Sequence, residues 1–246
     1  RIKALYNSPH LVYYIAEVSY MIIIRGNSFD PWFNLASEEY LLKNTQDDVF
    51  MLWRNGRSVI IGKNQNAFAE VNRAFTEENG IKVARRMTGG GAVFHDEGNV
   101  NFTFITDATD ENKMNFALFL APVVKALASL GVDAQIDGRN DLTANGYKIS
   151  GNAECVAKSN FGRDRVLHHG TLLFSADMSS LAGALNVSEK KLESKGIKSV
   201  RSRVGNLRDM PPDGRIPEEY RVGDGRGASD FIAYLFGCFD GAYSGF

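Results

Sequence analysis

The sequence predicts an α+β domain with a mixed or antiparallel sheet core and flanking helices. Two observations carry that expectation. Asn-Gly pairs at 55–56 and 145–146 each join short apolar runs, the pattern of two-residue hairpins. Strand-like and helix-like segments also intermingle without regular βαβ alternation, which disfavours a doubly wound parallel sheet. No internal repeat or low-complexity tract interrupts the 246 residues, so a single domain over 1–246 is expected.

Taken in order, Met21–Ile24 reads as the first strand. Arg1 and Lys3 precede an apolar stretch, Leu11 to Ile24, that loosely imitates a secretory signal, but Glu17 and Ser19 interrupt it. That stretch is too short and too polar to span a bilayer. Asp30-Pro31 reads as an N-cap followed by proline at the first helical position, with Phe33, Ala36, Tyr40 and Leu41 at helical spacing behind it. Val49–Trp53 and Arg57–Ile61 flank Asn55-Gly56 as a hairpin. Glu70–Asn79 reads as a helix stopped by Gly80, then come strands at Ile81–Arg85, Ala92–Phe94 and Asn99–Ile105. Met114–Leu130 is the clearest long helix, with Gly131 as its stop. Strands follow near Asp133–Ile136, Leu142–Ala144 and Tyr147–Gly151, the last two joined at Asn145-Gly146. A strand is expected at His169–Phe174, and helices at Met178–Leu185, Ser188–Ser194 and Ala228–Phe239.

Twenty-eight basic residues stand against 29 acidic ones, a net charge of −1. A protein that holds nucleic acid through phosphate contacts carries a basic excess, so neither nucleic acid nor a membrane is an expected partner. Cys155 and Cys238 form no CxxC pair and lie beside no histidine at zinc spacing. A reducing, cytoplasmic setting fits them best.

The most informative stretch is Arg85-Arg86-Met87-Thr88-Gly89-Gly90-Gly91-Ala92-Val93-Phe94-His95-Asp96. Three glycines between two strands cost conformational entropy, so a close or strained backbone approach is the expected reason for them. Successive glycine N–H groups can also turn toward one anion, and the adjoining arginines supply charged donors for phosphate or carboxylate. The stretch is no Walker loop, because no Gly-Lys-Ser/Thr follows, and Phe94 stands where GxGxxG needs its last glycine. A flexible connection with two solvated arginines is the competing reading.

Lys148 follows the second Asn-Gly pair by two residues. A tight turn fixes register, so the sheet sets the direction of its side chain, expected on one face with Gly146 and Ser150 while Tyr147 and Ile149 face the other way. An ammonium there would bridge a carboxylate and an α-phosphate; a solvated strand lysine is the alternative. His168 and His169 open a strand, and neighbouring residues on a strand point to opposite faces, so one is expected inward and one outward. His95 reads equally as a core histidine or a ligand contact. Cys155, seven residues after Lys148, suggests acyl transfer but fits a small buried thiol better. Asp141 is a candidate for Mg²⁺ with ATP phosphates, or a turn residue. Ser199–Asn206, with Arg201 and Arg203, reads as a loop that folds over a nucleotide or as a plain connection.

Several segments together resemble the lipoate–protein ligase A family: Asp30–Ala36, Leu52–Asn55, Val59–Asn66, Ala84–Asn99, Gly138–Leu142, Lys148–Gly151, His168–Leu173 and Ser199–Leu207. They run in family order over about 27–207, most of the chain. The resemblance implies a fold like that of biotin ligases and the catalytic cores of class II aminoacyl-tRNA synthetases. It implies that lipoate and ATP form lipoyl-adenylate, and that the lipoyl group passes to a lysine of an acceptor. Arg86, Gly91, Ala92, Val93, Phe94 and Lys148 would then bind ATP with Mg²⁺. Lipoate would meet Lys148, Arg86, Gly90, His95 and His169. Val200, Arg201, Ser202, Arg203, Val204 and Gly205 would cover the adenylate. The implied partners are lipoyl domains of 2-oxoacid dehydrogenase complexes and the glycine cleavage H protein. Many such ligases carry a small C-terminal accessory domain, which is expected to be missing from this chain.

Two rival functions compete with the ligase. One is a lipoyl or octanoyl transferase lacking ATP activation. The octanoyl form, taking its acyl group from a carrier protein, would show a catalytic cysteine just upstream of the Lys148 hairpin, where this chain has Asn140-Asp141-Leu142-Thr143. The lipoyl form would only transfer from a ready-made adenylate. A non-catalytic ligand- or RNA-binding module is the other, and the near-zero net charge disfavours its RNA form.

Overall fold

The computed structural model describes residues 21–186, 204–210, 216–223 and 227–243. The helix expected at Ser188–Ser194 and the loop residues Val200, Arg201, Ser202 and Arg203 lie outside them. Ten strands in the described residues form two sheets. The larger has seven strands in the order β1 (Met21–Arg25), β2 (Asp48–Trp53), β6 (Asn99–Asp107), β10 (Asp164–Leu173), β9 (Tyr147–Lys158), β8 (Asp141–Ala144) and β7 (Gln135–Asp137). Only β1 and β2 run parallel; the other pairings are antiparallel. The smaller sheet has β3 (Ser58–Ile61) between β4 (Lys82–Arg85), parallel, and β5 (Val93–His95), antiparallel. The α+β expectation with a mixed sheet holds.

Both faces of the large sheet are covered. On one, α4 (Phe116–Ser129) and α6 (Ala228–Tyr243) pack over Phe50, Leu52, Phe102 and Phe104, with Phe239 stacked on Phe50 at 3.9 Å between ring centroids. On the other, α1 (Pro31–Asn44) covers Val49, Met51, Trp53, Ile105 and Leu167. Thus β2 is apolar at every position from Val49 to Trp53, the pattern of a strand buried on both faces. A third cluster binds the small sheet to α5 (Met178–Ala184) through Val59, Ile61, Phe94 and Ala184.

Four expectations about the elements need correction. First, β2 and β3 are not a hairpin, because they belong to different sheets. Neither Asn55 nor Gly56 has the positive φ of a type I′ turn; the Gly56 amide donates to the Phe29 carbonyl at 2.8 Å, and Asn55 is buried against Asn34. The second pair does form the turn, with φ of 51° at Asn145 and 75° at Gly146. Second, α1 does not bury Phe33 and Tyr40, which are 62% and 65% exposed; its buried stripe is Pro31, Asn34, Glu38 and Leu42. Asn34 and Glu38 reach the interior because each finds polar partners there, so the apolar pattern of this helix misreports its inward face. Third, the helix read over 70–79 is two short ones, α2 (Ala67–Glu70) and α3 (Arg73–Glu78), separated where Val71 bridges to Leu185 and Asn72 caps α3. Fourth, a bulge changes the parity of β9. Leu142 pairs with Ser150 but Thr143 pairs with Lys148, leaving Ile149 as the extra residue. Lys148 therefore shares a face with Gly151 and Asp141, while Ser150 turns into the buried side with Ile149.

Candidate active site

The two sheets enclose a cleft. Its floor is the outer half of the large sheet: Asn101 on β6, His169 and Thr171 on β10, and Lys148, Gly151 and Ala153 on β9. Its roof is the connection from β4 to β5, with Arg86, Gly90, Gly91, Ala92 and Val93. Leu35, Trp53 and Ile60 give it an apolar side. The triglycine connection and the hairpin lysine, about 60 residues apart in sequence, thus line one cavity.

The roof is held from within by Arg86. Its Nη2 donates to the carbonyls of Gly89 (2.7 Å) and Gly91 (2.8 Å), its Nη1 to Ile60 (3.2 Å), and its Nε to the Thr88 hydroxyl (3.0 Å). Burial lowers its pKa to about 10, with the Glu38 carboxylate acting in the opposite direction, so it remains a cation at neutral pH. Gly90 has a φ of +94°, and a Cβ there would stand 2.7 Å from the Arg86 guanidinium. A Cβ on Gly62 would meet the Gly90 carbonyl oxygen at 2.2 Å, so the β3 end needs glycine for the roof to close. Gly89 and Gly91 have open space where a side chain would be. Among the described residues the amides of Gly89, Gly90 and Gly91 donate no hydrogen bond within the protein.

On the floor, Lys148 Nζ is 2.7 Å from Asp141 Oδ1, and both side chains are partly exposed. Val204 bridges in parallel to Lys148, and the Gly205 amide donates to the Lys148 carbonyl at 3.1 Å. The described end of the proposed covering loop therefore lies against the lysine strand.

His169 and His168 are both buried, which corrects the expectation that one would face outward. The cause is the double cover of the sheet. His168 stacks on Phe119 of α4 at 4.8 Å, and burial lowers its pKa although Glu154 lies 3.5 Å away. His169 lines the cleft with both ring nitrogens engaged: Nδ1 at 2.9 Å from Glu38 Oε1 and Nε2 at 2.7 Å from Thr88 Oγ1. His95 faces the cleft too; its Nδ1 meets Asn55 at 3.1 Å and its Nε2 is buried without a partner. Burial, then the charge of Arg86 and proximity to His169, lower its pKa to about 3, so it is neutral. Phe94 does not line the cleft. It alternates to the opposite face of β5 from Val93 and His95 and packs with Val59 and Ile61.

Cys155 is half-buried on β9, and burial with the nearby Glu38 charge pushes its thiol up to about 11. Such a thiol is a poor nucleophile. Reading the sequence also missed Glu38, Asn101 and Asn152. Asn101 Nδ2 and Asn152 Oδ1 are buried and unpaired at the cleft. The available signal for Glu38 was a helical stripe, 34–38–42, carrying two polar residues toward an apolar sheet.

The model of the lipoyl protein ligase A/B catalytic domain matches residues 30–219. Lipoate-protein ligase LplJ of Bacillus subtilis (strain 168) is 46% identical over 203 residues, which cover 82% of this chain and 60% of that relative's length. A solved bi-partite lipoate protein ligase from Thermoplasma acidophilum, described with its E2 lipoyl domain, aligns at a TM-score of 0.70 and 28% identity, covering 90% of this chain and 83% of that one. A lipoate-protein ligase A structure bound with ATP aligns at a TM-score of 0.67 and 27% identity, covering 88% and 83%.

Proposed function

The chain belongs to the lipoyl protein ligase A/B catalytic-domain family, and from that premise we propose that its cleft activates lipoate with ATP and hands the lipoyl group to an acceptor lysine. One observation carries the reading: Lys148 and the roof glycines with their unpartnered amides line the same cavity. An anion received by those amides would lie where the ammonium of Lys148 can reach a second, carboxylate oxygen. The ATP-bound relative and the name of the Bacillus subtilis relative support these two substrates.

The residues present fit both organic substrates. Buried, unpaired atoms of His95, Asn101 and Asn152 offer hydrogen bonds to polar groups in the cleft. Leu35, Trp53 and Ile60 would shelter an apolar tail. Arg86 would act mainly by shaping the roof, since most of its donors already serve backbone carbonyls. Of the proposed ATP residues, Gly91, Ala92 and Val93 would contribute backbone, and Phe94 would only anchor the strand. His169 would offer its ring edge rather than a free nitrogen. For Mg²⁺ the fit is thin. Among the described residues no three histidine, cysteine, aspartate or glutamate side chains converge, so at Asp141 phosphates and waters would supply most of the coordination.

Val204 and Gly205, with the residues before them, would exclude water from a reactive mixed anhydride. Lipoyl domains of 2-oxoacid dehydrogenase complexes and the glycine cleavage H protein are the proposed acceptors, supported by the lipoyl domain described with the Thermoplasma ligase. A cytoplasmic setting is proposed with them. No helix among the described residues is long and apolar enough to cross a membrane.

The test is lipoate-dependent exchange of labelled pyrophosphate into ATP by the purified chain. Exchange supports activation here. Transfer from supplied lipoyl-adenylate without any exchange would instead favour a transferase that lacks the ATP step.

A further inference from the structure

We propose that Glu38, His169 and Thr88 form a positioning relay that sets Arg86 and, through it, the shape of the triglycine roof. Hydrogen-bond directions in this chain follow from its one donor-only atom. Arg86 Nε can only donate, so Thr88 Oγ1 accepts at 3.0 Å. The single hydroxyl proton of Thr88 then goes to His169 Nε2 at 2.7 Å, which makes that nitrogen an acceptor. That arrangement puts the imidazole proton on Nδ1, 2.9 and 3.1 Å from the two Glu38 oxygens. Glu38 is held in turn by the Thr103 hydroxyl at 2.5 Å, which accepts from Trp53 Nε1 at 2.8 Å.

Every member of this chain is buried: Thr88 and Thr103 are 0% exposed, Glu38 1% and His169 7%. A charged or Nε2–H imidazole would make Thr88 accept from both sides and strand its own proton away from water, a costly arrangement. The relay thus holds the Arg86 fork in the orientation that ties the Gly89 and Gly91 carbonyls to the protein side. Thr88 and Glu38 are not among the residues lining the cleft and act through Arg86. Its effect on ATP presupposes the ligase function; its geometry does not.

Thr88→Val keeps shape and removes the hydroxyl, whereas Thr88→Ser keeps the hydroxyl. Calorimetric titration with ATP should show about tenfold or weaker binding for Thr88→Val and a change within about twofold for Thr88→Ser. The Gly91 amide and Arg86 Nε resonances should shift in the valine variant and stay in place in the serine one. Imidazole nitrogen shifts of the unmodified protein should report neutral, Nδ1-protonated His169, a measurement that needs no variant to fold. A charged or Nε2-protonated His169 overturns the relay, and so does a folded Thr88→Val protein with unmoved roof resonances. Should the unmodified protein bind no ATP, the ligase reading fails alone, and the tautomer with the roof resonances still decides the relay.

Discussion

Lys148 Nζ lies 2.7 Å from Asp141 Oδ1, and the bulge at Ile149 is what brings these two side chains to one face of the β8–β9 hairpin. Without the extra residue Lys148 would point into the buried side. The carboxylate keeps the ammonium over Gly151, whose missing side chain leaves only 3.4 Å between a notional Cβ and the lysine nitrogen. Removing the ammonium with Lys148→Ala should lower lipoate-dependent pyrophosphate exchange by about 100-fold or more while the unfolding transition stays cooperative. Near-normal exchange would remove Lys148 from the chemistry.

Asp141→Asn separates aiming from charge. The amide keeps a weak hold on Lys148, so an intermediate loss of about tenfold in exchange is expected, with the fold unchanged. A Mg²⁺ titration of the same variant bears on the metal role. An unaltered Mg²⁺ dependence would leave Asp141 as an orienting group only.

Backbone closure of the roof depends on Gly62. Gly62→Ala would press a methyl to 2.2 Å from the Gly90 carbonyl, a backbone atom that cannot swing aside. The expected outcome is destabilisation of about 1–3 kcal/mol and weaker ATP binding. Gly89→Ala, which meets open space, should change stability by no more than about 0.5 kcal/mol. Urea titrations of the pair check both, and equal stabilities would mean the two loops are not in register.

Stability should fall on mild acidification through His95. Its folded pKa is lowered to about 3 by burial first, with Arg86 and His169 adding to it, whereas the unfolded chain titrates near 6.5. Protonation therefore favours the unfolded state. The full stability is present above about pH 6.5 and drains as pH falls toward 3, with a slope of up to about 1.4 kcal/mol per unit from this one group. His95→Gln should flatten the slope of unfolding free energy between about pH 6 and pH 4. Parallel slopes in the two proteins would assign the acid sensitivity elsewhere.

Cys155→Ser discriminates the ligase from a cysteine transferase. With its thiol pushed up to about 11, Cys155 carries almost no thiolate at neutral pH. Activity should stay within about twofold of the parent, and its abolition would reinstate covalent acyl transfer.

Local chemistry was legible along the chain. The N-cap Asp30 with Pro31, the turn at Asn145-Gly146, the stop at Gly131 and the triglycine run each depend on contacts within a few residues, so their residue types announce them. The order of segments that resembles the ligase family was also readable without coordinates, and the family match agrees with it. What failed was whatever required knowing the neighbour. Asn55-Gly56 carries the same dipeptide as the true hairpin, yet the strands on either side join different sheets, and no local signal reports the partner of a strand.

Sequence alone therefore determined the α+β class, the roof glycines and the lysine that faces them. Tertiary structure decided which face each side chain takes, because a one-residue bulge reverses strand parity and a second covering layer buries residues that a two-sided pattern assigns to solvent. It also made Glu38 an interior group. A buried carboxylate is tolerated only where donors meet it, and those donors, Thr103 and His169, come from strands 65 and 131 residues away.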